Sequence, residues 1–100
     1  MAGIELAASA VAEPTDADGC FDLGMIYSAG AGVAVDMIAA HRWFNIAAMR
    51  GHKDAARLRR EIAEQMSDAE VGLAQRAARD WLKAHPQPAA PQGAKIRAAA

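Results

Sequence analysis

Cysteine is nearly absent from this 100-residue chain, where Cys20 stands alone. A single thiol cannot close an internal disulfide, and it cannot build a multi-cysteine zinc site. Large rings are also scarce: two Trp, one Tyr and two Phe must pin whatever core forms. No run approaches the ~18 apolar residues that a membrane-spanning helix requires. A surplus of charge is missing too, since 11 basic residues face 12 acidic ones for a formal charge of -1. Nucleic-acid binding needs a basic surplus on one face. The balance therefore argues against it and leaves only a local patch at Arg57, Arg59, Arg60, Arg76 and Arg79, whose ordinary reading is solvated helix surface. No basic residue precedes the small-residue run "AASAVAEP", and Glu5 interrupts the apolar stretch before it. Both features argue against a secretory leader and for a cytoplasmic protein.

What is present is alanine, which supplies much of the 53% apolar content. Alanine is the strongest helix former and lets helices approach closely. The expected class is all-α with about four helices. A first segment, 1–15, holds enough apolar residues for a short capping helix that Pro14 would stop. The first main helix begins near Asp16 or Asp18 and runs to about Ala29. It places Cys20, Leu23, Gly24 and Tyr27 on one face by their i, i+3, i+4, i+7 spacing. Gly30 suits the left-handed C-cap, and Asp36 suits the N-cap of a second helix reaching about Arg50 and ended by Gly51. In that helix Ala40, Trp43, Ile46 and Ala47 point inward, while His41, Arg42, Asn45 and Arg50 read as more exposed.

A third helix over 53–66 carries Ala55, Leu58, Ile62 and Met66 at helical spacing. Arg57 with Glu61 and Arg60 with Glu64 form i, i+4 pairs on its wet side. "SDAE" at 67–70 is a capping box that opens a fourth helix, packed through Val71, Ala74, Ala78, Trp81 and Leu82 and stopped before Pro86. The tail over 86–100, rich in proline with little to bury, is expected to be disordered.

Chemistry finds little support in these residues. The glycine pair Gly30 and Gly32 follows a helix, and the third glycine, lysine and hydroxyl of phosphate-binding loops are missing. His41, His52 and His85 share no metal-ligand spacing with each other or with Cys20. Cys20 has no base beside it in sequence and reads as a core thiol rather than a nucleophile. Asp16, Asp18 and Asp22 complement the positive end of a helix. No catalytic residue, cofactor or metal is expected, and the chain does not read as an enzyme.

The order Leu23-Gly24, Tyr27, Gly30-x-Gly32-Val33, Asp36, Ala40, Trp43, Ala47-Ala48, Gly51 and Ala55 is more specific than composition. It resembles the Sel-one-like repeat, a relative of the tetratricopeptide helical repeats. The resemblance implies antiparallel helix-turn-helix units of a right-handed superhelix over 16–85, a full repeat at 17–52 and a degenerate one at 53–85. In the second unit "ARDW" repeats the "AHRW" outline and puts Trp81 where Trp43 stands in the first. Arg59 and Arg60, however, replace the close-packing Leu-Gly. In the first unit Gly24 is expected where backbones touch, with Tyr27 and Trp43 locking the pair and Val33 folding under the connector.

Repeats of this kind imply a non-enzymatic adaptor that holds a protein or peptide. The candidate partner surface is the strip Phe21, Met25 and Ser28, rimmed by Asp18 and Asp22, because it lacks an obvious partner within the chain. Two alternatives stand beside it. One is self-association into a homo-oligomer through exposed repeat ends. The other is nucleic-acid binding through Arg57, Arg60, Arg76 and Arg79.

Overall fold

In the computed structural model, residues 16–86 are described, so the expected N-terminal cap and nearly all of the expected tail lie outside the described residues. Four helices follow in order: α1 (Ala17–Ala29), α2 (Met37–Met49), α3 (Ala55–Ala63) and α4 (Asp68–Ala84). Among the described residues there is no strand. Three helices start where a side chain can satisfy an otherwise unpaired backbone N–H. Asp16 accepts from the Gly19 N–H at 2.8 Å, and Asp36 accepts from the Ala39 N–H at 2.9 Å. Ser67 and Glu70 form both halves of the capping box, at 3.1 and 2.9 Å.

The third helix is shorter than the sequence spacing predicts. Its Asp54 cap makes no side-chain bond, and the Asp54 N–H instead donates to Nδ1 of His52 at 3.2 Å. At the other end the Gln65 and Met66 N–H groups reach back only three residues, to Ile62 and Ala63. That tightened turn closes the helix before Ser67. The Arg57–Glu61 pair forms at 3.3 Å, but no Arg60–Glu64 pair forms among the described residues.

α2 is the centre of the molecule, with α1, α3 and α4 all packed on it. It buries Ala40, His41, Trp43, Phe44, Ile46 and Ala47, six of its 13 residues. α1 and α2 form a hairpin whose connector passes through Gly30 and Gly32 at φ 72 and 79°, a left-handed backbone that glycine adopts without strain. The Asp36 N–H donates to the Tyr27 carbonyl at 3.0 Å and closes the loop. Val33 is half-buried there, and it is Val35 that lies against Gly30.

Two expectations about this hairpin need correction. Gly24 does not bring bare backbones together; it makes room for the ring of Phe44, whose carbons lie 2.6 Å from where a Cβ would stand. His41 is not a surface residue but only 2% exposed. Trp43 is buried as expected, while Tyr27 is half-buried at the junction of two core clusters.

α3 returns along α2, with Ala55 joining the cluster around Ala47 and Ile62 joining Ala40 and Phe44. α4 brings Ala78 and Trp81 to the first cluster, where Trp81 meets Trp43 edge-on at 5.4 Å. α3 and α4 pack chiefly on α2 rather than on each other. Close approach between the two helices of residues 53–85 is thus lacking, in keeping with Arg59 and Arg60 in place of Leu-Gly. Arg59, at the position where the resemblance places Leu, donates from its guanidinium to Asn45 of α2 at 2.7 Å.

Candidate functional site

The residues singled out as a partner surface are not one continuous strip. Phe21 turns inward: its ring stacks on His52 at 3.9 Å and 6°, and lies 5.5 Å from Phe44. Met25 stays 44% exposed, while Ser28 is half-buried and its hydroxyl donates to the Met25 carbonyl at 3.1 Å. Asp22 is exposed. Asp18 reaches to 3.7 Å from Nε2 of His52 and so helps hold the connector after α2 against α1. The aromatic part of the strip thus has partners within the chain, His52 and Phe44, which adjacency in sequence did not reveal. Cys20 is fully buried. Desolvation of its thiolate, opposed by the nearby Arg50 charge and aided by Asp16, pushes the thiol pKa up to about 11. It is therefore an unreactive core residue.

A different feature has the shape of a binding site. Between α2 and α4 lies a groove of about 550 Å³, lined by Asn45, Met49, Gln75, Ala78, Arg79, Leu82 and Lys83. Helix periodicity explains the set: Asn45 and Met49 are one turn apart on α2. On α4 Gln75, Ala78, Arg79, Leu82 and Lys83 recur at three- and four-residue steps. The floor is apolar, and Met49 remains 66% exposed.

The walls are fixed by bonds around the groove. Arg59 donates to Oδ1 of Asn45, which orients that amide. Toward the C-terminal end of both helices, Arg50 lies over the Trp81 ring at 5.2 Å and donates to the His85 carbonyl. His85 stacks on the same indole at 4.1 Å, and its Nδ1 is 2.9 Å from the Trp81 carbonyl. These contacts tie the end of α4 to the end of α2 and hold the groove at a set width.

Sequence reasoning did not bring these residues together: it gave Leu82 to the core, against which it does pack, Arg79 to a basic patch and Asn45 to exposed surface. One local signal did point to the groove. Arg79 and Lys83 are like charges at i, i+4, an arrangement that costs a helix a few tenths of a kcal/mol. Of the other arginines in the basic patch, Arg57 is engaged by Glu61 at 3.3 Å and Asp54 at 3.9 Å. Among the described residues no group of three or more His, Cys, Asp or Glu is placed to hold a metal ion, and no helix is long and apolar enough to cross a membrane. No family model, curated protein or solved structure matches this chain.

Proposed function

We propose that this chain is a small non-enzymatic interaction module, built on one Sel-one-like helical hairpin and acting as an adaptor that holds a peptide or helix of another protein. The observation that carries this reading is the groove between α2 and α4, with an apolar floor, polar walls and about 550 Å³ of space. A preformed cleft between two helices receives a partner segment with little reorganisation. The hairpin reading rests on Gly24 beneath Phe44, the left-handed Gly30 and Gly32, and the Asp36 cap, features that the resemblance orders in sequence. The nucleic-acid alternative is less favoured, because Arg57 of its patch already faces two carboxylates, the helix-capping Asp54 and Glu61.

The test is selection from a displayed library of random peptides with the full chain as bait. The expected outcome is enrichment of sequences sharing one apolar spacing, with binding that the exposed substitution Met49→Ser weakens. Failure to enrich anything beyond what a heat-unfolded control retains would remove the adaptor reading.

A further inference from the structure

The chemistry of the groove walls is one-sided. Arg79 and Lys83 offer only donors and positive charge. Asn45 accepts from Arg59 on its Oδ1 at 2.7 Å, and its NH2 adds a donor. The amides of Asn45 and Gln75 carry the carbonyl acceptors among the lining residues, and no carboxylate lines the groove. Neither Arg79 nor Lys83 takes part in an ion pair among the described residues. Two neighbouring cations at i, i+4 on one helix face repel each other. Lys83 lies in the last turn of α4, where the helix dipole favours a cation, but Arg79 stands a full turn earlier and lacks that support.

The occupant is constrained by the floor as well as by the walls. Met49, Ala78 and Leu82 are the apolar residues of the groove's lining. A bare phosphate backbone would leave them uncovered, whereas an amphipathic peptide would cover them. We propose that the groove takes an acidic amphipathic segment of another protein, with apolar side chains against Met49 and Leu82 and carboxylates toward Arg79 and Lys83. This inference rests on the adaptor reading and specifies the ligand that reading leaves open. Paired carboxylates would meet two guanidinium- and ammonium-type donors at the groove rim, and the Asn45 NH2 would contribute a third hydrogen bond. Much of the discrimination would come from charge and be sensitive to salt, because the rim is exposed.

The probe is a fluorescein-labelled peptide of roughly 14 residues, with leucines at i, i+3, i+4 and i+7 and glutamates on the flanking positions. Its control replaces every glutamate by glutamine. Binding to the full chain is followed by fluorescence anisotropy at low salt and at about 0.5 M salt, where the screening length is only a few ångströms. The acidic peptide is expected to bind about tenfold more tightly than its control at low salt, with the gap closing at high salt. An Arg79→Gln, Lys83→Gln double variant, verified as folded by circular dichroism, is expected to bind both peptides alike. Equal binding of acidic and neutral peptides to the unmodified chain would overturn the acidic preference and leave the adaptor reading standing. Binding of neither peptide would also overturn it, and the library selection then decides separately whether any peptide is held. Displacement of the acidic peptide by a single-stranded RNA oligonucleotide of equal length at lower concentration would assign the cations to phosphate instead and overturn the proposal.

Discussion

A methyl group at position 24 would have to share space with three ring carbons of Phe44, at 2.6 to 2.9 Å. Phe44 is itself 1% exposed and cannot swing away. Alanine would gain about 1 kcal/mol of helix propensity over glycine. Overpacking a closed core costs about 1–3 kcal/mol, and contact this short lies at the upper end. Gly24→Ala is therefore expected to destabilise the fold by about 1–2 kcal/mol in urea denaturation. Adding Phe44→Leu should recover part of that loss, so that the two substitutions are non-additive. His41 makes a second prediction at this scale. Burial, reinforced by the neighbouring Arg59 charge, lowers its pKa below the ordinary 6.5. Below pH 6.5 the unfolded chain takes up a proton that the folded chain refuses, so stability falls with falling pH. The slope from this one residue is at most ~1.4 kcal/mol per pH unit and ends at the lowered folded pKa. Denaturation curves between pH 7.5 and 5 should show stability falling once the pH passes below about 6.5, and His41→Leu should flatten that fall.

At the scale of helices, α4 is held by both a start signal and a docking contact, and the two differ in size. Removing the Ser67 cap with Ser67→Ala is expected to cost about 1 kcal/mol. Trp81→Ala removes the indole that meets Trp43, His85 and Arg50, and should cost about 3–5 kcal/mol. Urea midpoints for the two variants check the ratio; equal shifts would mean that α4 is held by its own propensity rather than by packing. The same contrast explains what was legible in the sequence. Caps are local, so Asp16, Asp36 and Ser67-x-x-Glu70 marked three helix starts directly. The interior of α2 was harder to read. A helix wrapped by three others lacks a broad wet face, and a reading that sought one moved His41 outward and overlooked Phe44. The start of α3 was misjudged because its first bonds run through the connector at His52 and Asp54, a geometry that apolar spacing does not encode.

At the scale of the whole molecule, the all-helical class was legible from alanine content, periodicity and caps, whereas the candidate site was not. The groove arises from how α4 docks, and docking is set by contacts between residues more than 30 positions apart, such as Arg50 with His85 and Trp43 with Trp81. Phe21 belonged to an apparent surface strip only as long as His52 was far from it in sequence. In three dimensions His52 covers the ring, and the expected binding strip loses its anchor. Because the groove is bounded by only two helices, its opening depends on the angle at which α4 lies on α2, and the bonds around Arg50, Trp81 and His85 set that angle.

The edge-on indoles give the molecule a built-in optical gauge. The sequence holds two tryptophans, and both belong to this one contact across the α2–α4 boundary. Their transition dipoles lie close enough to couple, so the tryptophan part of the near-ultraviolet circular dichroism of unlabelled protein reports that single junction, with Tyr27 as the one tyrosine beside it. Anything that pries the last helix from the central one would register there first.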